Sequence, residues 1–195
     1  MPEIAEEDVN QRIAERVRSL RAARGLTLDA LAERSGVSRS MISLIERGKS
    51  SPTAVLLERL ATALNLPLAS LFEASRANPE PVSRRADQPQ WRDPVSGYRR
   101  RNISPSGFPS PIQIVEVEFP PGARVAFDTG AREAPLHQQV WVLEGAIAVT
   151  IGEDLYRLET GDCLAFVLDR PTAFRNRTKK SARYAVVVGQ TGLVR

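Results

Sequence analysis

Apolar residues recur at spacings of three and four along residues 10–73: Ile13, Val17 and Leu20; Leu28 and Leu31; Ile42 and Ile45; Leu56, Leu60 and Leu64. That spacing lays an apolar stripe along one side of a helix, so the segment predicts a helical bundle. Punctuation divides it. Gly25, Gly36 and Gly48 end the first three helices, Ser51-Pro52-Thr53 opens the fourth, and Pro67 opens a short fifth that stops near Phe72. Proline is tolerated in a first helical turn because the N–H it lacks would have no partner there.

The pattern then changes twice. Residues 75–95 carry Pro79, Pro81, Pro89 and Pro94, several arginines and almost no apolar periodicity, which is the composition of a semi-stiff linker. Trp91 is the one large apolar residue there and predicts a docking point on a neighbouring domain. Residues 96–195 are rich in alternating and β-branched runs: Ile112–Phe119, Val140–Ile151, Asp154–Leu158, Cys163–Leu168 and Ala182–Val188. Gly or Pro separates them, as at Pro120-Pro121-Gly122, Gly145, Gly152, Gly161 and Pro171. Many short strands without helical periods predict an antiparallel sandwich or barrel. The chain therefore divides into a helical domain at 10–74, a linker at 75–95 and a β domain at 96–195, a two-domain all-α plus all-β architecture.

Composition narrows the function. The 195 residues hold 27 Lys and Arg against 23 Asp and Glu, a formal charge of only +4, so the chain is not polybasic overall. The distribution matters more. Residues 9–50 hold nine basic side chains (Arg12, Arg16, Arg18, Arg21, Arg24, Arg34, Arg39, Arg47, Lys49) and four acidic ones, a local +5 that suits a polyanionic partner. No apolar run reaches the roughly 18 residues of a membrane span, and the start (Glu3, Glu6, Glu7, Asp8) is acidic where a signal peptide needs base, so a cytoplasmic protein is expected. Cys163 is the only cysteine and His137 the only histidine, which excludes intrachain disulfides, thiolate zinc clusters and any site built from two or three histidines.

Residues 28–47 have the layout of a helix-turn-helix. Ala32 is small where two helices cross, Gly36 tolerates the positive φ of the turn, Val37 fills the turn, Ile42 and Ile45 face inward, and Ser38 is placed to cap the second helix. A wheel of about 100° per residue puts Met41, Ile42 and Ile45 on one side of that helix. Arg39, Ser40, Ser43 and Arg47 fall on the other, where short polar and arginine side chains suit base edges and phosphates. The stretch LTLDALAERSGVSRSMISLIERGKSSPTAVLLERLATALNLPLASLF resembles the Cro/C1 (xenobiotic response element) helix-turn-helix family over about residues 12–73. The resemblance implies that Ser38, Arg39, Ser40 and Ser43 lie nearest the bases in the major groove, and that Arg47 and Lys49 contact the phosphate backbone. Many members place Gln at the second position of the first motif helix to grip phosphate; Leu28 stands there, so that contact is not expected.

The stretch PPGARVAFDTGAREAPLHQQVWVLEGAIAVTIGEDLYRLETGDCLAFVLDRPTAFRN resembles the cupin family over about residues 112–188, most closely at VLEG (Val142–Gly145) and LETGD (Leu158–Asp162). The resemblance implies a small β-barrel, and usually a divalent metal held by two His and a Glu from one motif and a His from a second. Here Gln138 falls at the Glu position, Thr172 at the second-motif His position, and Ala131–Ala134 offers only Glu133 where two His would stand. His137 is adjacent to Gln138 and is the one residue able to act as a shifted ligand. Neutral Gln and Thr are poor transition-metal ligands, so no metal and no cofactor is expected.

Strand alternation puts Gln138, Val140 and Val142 on one face and His137, Gln139 and Trp141 on the other. The first face follows the ligand position and should point inward. That leaves either a small-molecule pocket lined by Gln138, Val140, Cys163, Phe166, Thr172 and Phe174, or a filled core. Arg99-Arg100-Arg101 reads as a solvated strand edge kept from pairing by charge. The sequence as a whole predicts a non-enzymatic, sequence-specific DNA-binding regulator, a homodimer on double-stranded operator DNA, whose barrel dimerises, senses a small-molecule effector, or does both. Two alternatives stay open. One is a DNA-binding module with a purely structural barrel. The other is a metal-dependent cupin enzyme, like the mononuclear iron epoxidases of phosphonate antibiotic synthesis, which share this domain order but use two His and one carboxylate.

Overall fold

The computed structural model describes residues 3–73, 78–128 and 135–190. Four α-helices come first: α1 (Glu3–Ala23), α2 (Leu28–Ser35), α3 (Arg39–Glu46) and α4 (Ala54–Ala63). Their boundaries follow local chemistry. Thr27, Ser38 and Thr53 each sit at an N-cap, where the side-chain oxygen accepts an otherwise unpartnered N–H, from Ala30, Met41 and Leu56 respectively. Gly36 ends α2 in the left-handed conformation (φ 64°), with its N–H bonded to the Ala32 carbonyl. Ile13, Val17, Leu31, Ile42, Ile45, Leu60 and Leu64 of the periodic stripe are fully or almost fully buried in the bundle core, whereas Leu20, Leu28 and Leu56 are half-buried and Leu57, outside the stripe, is fully buried.

The expected fifth α-helix is instead a 3-10 turn at Leu68–Phe72. Pro67 stands at its start without a side-chain cap, and five residues are too few to sustain an α-helix without one. Asn65, at φ 52°, makes the reversal between α4 and this turn.

Ten strands follow: β1 (Gln90–Arg92), β2 (Arg99–Asn102), β3 (Ile112–Phe119), β4 (Arg124–Phe127), β5 (Leu136–Glu144), β6 (Ala146–Ile151), β7 (Asp154–Glu159), β8 (Cys163–Val167), β9 (Thr172–Arg175) and β10 (Ala182–Gln190). They form two antiparallel sheets, one ordered β1-β2-β3-β10-β5-β8 and the other β4-β9-β6-β7. The expected barrel is thus a pair of open sheets among the described residues, with no ladder closing one onto the other. Their inner faces share one core: Val115, Val117, Val140 and Val142 from the first, Val125, Ile147, Val149 and Phe174 from the second. Gly145 turns β5 into β6 at φ 80°. A Cβ there would stand 3.1 Å from the Ser181 carbonyl, so the VLEG turn needs glycine for both conformation and space.

Residues assigned to the linker do structural work. β1 lies within 75–95 and pairs with β2, and Trp91 is buried between Phe72 and Tyr98 at centroid distances of 5.5 and 5.9 Å. The arginine run also differs from expectation. β2 is an interior strand, flanked by β1 and β3, so it is no solvated edge. Arg99 is exposed, but Arg100 and Arg101 are buried. Arg100 lies 4.4 Å over the Phe72 ring and Arg101 pairs with Glu116 at 2.6 Å.

The two parts of the chain meet along one polar and aromatic seam. Asn102 donates to the Ala69 carbonyl at 3.0 Å, and Gln113 donates to Ser70 Oγ at 3.1 Å and to Glu73. Phe72, Trp91, Tyr98, Phe119, Tyr184 and Phe174 form an unbroken aromatic chain from the helical side into the β core, at centroid separations of 5.5–6.1 Å.

Candidate nucleic-acid interface and interdomain cavity

The first candidate site is the outer face of α3. Burial of Ile42 and Ile45 fixes the rotation of this helix, which turns Ser38, Arg39 and Ser40 outward and leaves Ser43 half-buried. Arg47 and Lys49, just past the helix end, are exposed. The far end of α3 is fastened by a fork: Arg21 Nε and a terminal nitrogen donate to the two oxygens of Glu46 at 2.6 and 2.8 Å, and its other nitrogen donates to the Leu26 carbonyl at 2.8 Å. The hydrogen bond to Glu46 raises the Arg21 pKa, outweighing the lowering effect of burial. A two-pronged charge-assisted pair of this kind fixes direction as well as distance. It lets α1 set the pose of α3.

The outward side chains are held lightly. Arg39 Nε pairs with Asp29 at 3.1 Å, both side chains mostly exposed, and Arg47 Nε donates to the Ser43 carbonyl at 3.0 Å. Exposed pairs of this sort contribute about 0–1 kcal/mol, so a phosphate or base edge can displace them at small cost. Periodicity did not reveal the Arg21–Glu46 fork, because it joins residues distant in sequence. An Asp29–Arg39 pairing was equally invisible.

The second site is a cavity of about 90 Å³ between the sheets and the helical domain. Of the predicted pocket residues, Gln138, Thr172 and Phe174 line it. Val140 is fully buried but outside the lining, and Phe166 is half-buried outside it. Cys163 is exposed: it pairs with Trp141 on the outward side of the first sheet, so it belongs to the surface and not to the pocket. The alternation reading placed its strand's inward face correctly for β5, but β8 carries Cys163 on the opposite face.

Four lining residues could not be found by strand reasoning: Glu58, Pro67, Leu68 and Ala69, all from the helical domain. Nor did the sequence distinguish Arg100, which lines the cavity with Tyr98 and Tyr184. Burial pushes the Tyr98 hydroxyl up to about 12 and Tyr184 well above its ordinary value, and it pulls Arg100 down. Two fully buried atoms of these residues, Arg100 Nε and Thr172 Oγ1, have no hydrogen-bond partner, although the Arg100 guanidinium is hydrogen-bonded to Tyr98 and has the Glu58 carboxylate near it.

Comparison with known proteins matches the two regions separately. Residues 17–71 match the helix-turn-helix family HTH_3, and residues 115–188 match the cupin domain family Cupin_2. The chain is a Cro/C1-type helix-turn-helix domain joined to a cupin domain. Two curated relatives match most of the chain, across both regions. The HTH-type transcriptional regulator SutR of Escherichia coli (strain K12) is 26% identical over 86% of this chain and 89% of its own. The HTH-type transcriptional regulator PuuR of the same strain is 29% identical over 83% of this chain and 85% of its own. A crystal structure of an HTH_3 family transcriptional regulator from Vibrio cholerae superimposes with a TM-score of 0.74 at 24% identity, covering 94% of this chain and 98% of that one, which shows a common fold.

Cupin folds commonly hold a divalent metal, and the residues of this cupin domain do not fit one. Gln138 and Thr172 are neutral and poor ligands for a transition metal. His137 is exposed on the outward face of β5, turned away from Gln138. Among the described residues no three His, Cys, Asp or Glu side chains cluster. Glu133 lies outside the described residues. Also among the described residues, no helix is long and apolar enough to cross a membrane.

Proposed function

We propose that this chain is a DNA-binding transcriptional regulator that reads operator DNA with α3, acts as a homodimer, and uses its cupin cavity to sense a small molecule. The observation that carries the first element is the exposed Ser38–Lys49 face set on a helix whose pose is locked by Ile42, Ile45 and the Arg21–Glu46 fork. Ser38, Arg39, Ser40 and Ser43 are the base-proximal set, and Arg47 and Lys49 engage phosphate. The names of the two relatives that match most of the chain support regulation of transcription as the purpose of that binding.

One helix of eight residues covers few base pairs, and a two-fold operator calls for a two-fold protein. The outer face of the first sheet supplies a surface for pairing. Trp141 is 51% exposed there, flanked in register by Ala185 and Cys163, with Ile112 and Ile114 exposed nearby. Large exposed apolar groups grouped on one sheet face mark a protein contact. A cytoplasmic, non-enzymatic role goes with this reading, and the names of the two relatives that match most of the chain support it.

Selection of bound fragments from random double-stranded DNA tests the first element. A consensus with two inverted half-sites, and affinity that falls steeply with salt, is the expected result. Equal affinity for all sequences would remove the recognition role of α3.

A further inference from the structure

The inward face of β5 is apolar with one exception. Leu136, Val140 and Val142 are buried, and Gln138 among them is buried too, at 8% exposure. Gln138 lines the cavity, and its side-chain amide hydrogen-bonds to no other described residue. Arg100 Nε and Thr172 Oγ1 are sealed within the protein; the Gln138 amide is not, so the space it faces is the cavity. A carboxamide taken out of water carries a cost that nothing in this wall offsets, and buried polar groups are nearly always hydrogen-bonded. The unused amide therefore marks where the polar head of a ligand sits.

The wall also sets the charge of that ligand. Its two charged residues, Arg100 and Glu58, are opposite in sign and interact, and Arg100 is further hydrogen-bonded to Tyr98. Each charge is thus already answered, and a ligand bringing a net charge into this buried space would leave one uncompensated. A carboxamide offers one acceptor and two donors, so its complement is a neutral group that donates and accepts at once, a hydroxyl or another amide. The rest of the wall is mostly apolar, including Phe127, Leu136, Val186 and Val188, which calls for an apolar body. An apolar cavity of about 150 Å³ holds benzene, so this one admits a body of about four non-hydrogen atoms.

We infer that the cavity binds a small neutral molecule, an alcohol or primary amide with a short apolar body, its head hydrogen-bonded to the Gln138 amide. The inference rests on the sensing element of the proposed function and names its ligand class. It also gives the ligand a route to the DNA-binding domain, because Leu68 and Ala69 of the helical side and Gln138 of the sheet line one space. A ligand that fits one arrangement of the two domains better than another shifts the chain toward it.

Thermal unfolding of the full chain with isobutyramide, isobutanol, isobutyrate and isobutylammonium tests the ligand class, since the four share one branched body. At about tenfold excess over Kd, a neutral ligand raises the midpoint by roughly 3–6 °C, and the two ions do not. Gln138→Met removes the partner of the head at similar volume, and Leu68→Trp fills the space from the helical side; each abolishes the shift. Far-UV circular dichroism and a cooperative transition show that a variant folds, and one folded variant suffices. No shift with either neutral ligand, which would leave Gln138 to water alone, equal shifts with the ions, or a shift that survives in a folded variant overturns the inference. Operator affinity with and without the neutral ligand is read separately. A thermal shift with no change in operator affinity keeps the ligand class and removes the sensing element.

Discussion

Asp93 Oδ1 accepts the backbone N–H of Ala54 at 2.8 Å, so a residue beside β1 satisfies the first turn of α4 in the other domain. Its second oxygen accepts from the Ser96 amide and hydroxyl at 2.7 and 2.6 Å, which fixes the carboxylate in place. An N–H in a first helical turn has no intrahelical partner, and a negative charge there also meets the positive end of the helix dipole. Asp93 is therefore a latch between the helical domain and the sheet.

Replacing it tests the latch. Asp93→Ala leaves the buried Ala54 N–H without a partner and should cost about 1–3 kcal/mol. Asp93→Asn keeps an oxygen acceptor and should cost less. Denaturant unfolding followed by both tryptophan fluorescence and far-UV circular dichroism is the measurement. The alanine variant should show the helical domain melting ahead of the sheets. A single unchanged transition would mean that the seam holds without Asp93.

DNA contacts separate by type. Arg39→Ala should weaken operator binding by about 1–3 kcal/mol and relax base preference at one position of each half-site. Lys49→Ala should weaken all sequences about equally and flatten the dependence of affinity on salt. Both side chains are exposed, so folding should be untouched. Binding isotherms at several salt concentrations distinguish the two patterns. Full retention of affinity and preference by Arg39→Ala would show that α3 does not read bases.

The helical domain was legible because its signals are local. Caps at Thr27, Ser38 and Thr53, the left-handed Gly36 and the buried Ile42 and Ile45 are each set by a few neighbouring residues. The inward face of β5 was legible for the same reason, since alternation along one strand assigns Gln138 and Val140 together. What escaped depends on tertiary placement. Arg100 looks like a surface charge in sequence, but β2 is interior, and Phe72 and Tyr98 cover it. Cys163 looks like a small core residue, but the register Trp141–Cys163 puts it on the outer face. The wall contributed by Glu58 and Leu68 exists only because the two domains pack together, which no pattern within either domain reports.

Tyr98 provides a pH test of that packed seam. Burial raises its pKa to about 12 in the folded chain, against 10.0 for the free side chain. The unfolded chain therefore releases this proton first as pH rises. Stability from the buried phenol is full below about pH 10 and is lost as pH climbs through about 12, an effect of about 3 kcal/mol at one 1.36 kcal/mol step per unit. Unfolding midpoints measured from pH 9 to 12 should fall, and Tyr98→Phe should flatten the fall. An identical alkaline slope in Tyr98→Phe would place the loss elsewhere.

The outer face of the first sheet carries the last test. Trp141 stands in a row with Glu116, Ala185 and Cys163, beside a second row of Ile114, Val187, Gln139 and Ala165. Apolar side chains dominate both rows, and Trp141, Ile112 and Ile114 are all partly in solvent in the single chain. Burying that face against a second copy would remove apolar surface worth about 25 cal/mol per Å². The full chain should sediment as a dimer, and Trp141→Glu should sediment as a monomer, since pairing would bury an unpaired charge. Because Trp141 is half-exposed in the protomer, the substitution should leave its unfolding stability within ~0.5 kcal/mol. The monomeric variant should also lose affinity for a two-half-site operator while keeping its weak affinity for one half-site. A wild-type chain that sediments as a monomer, or a Trp141→Glu chain that stays dimeric, would move the pairing surface off this sheet.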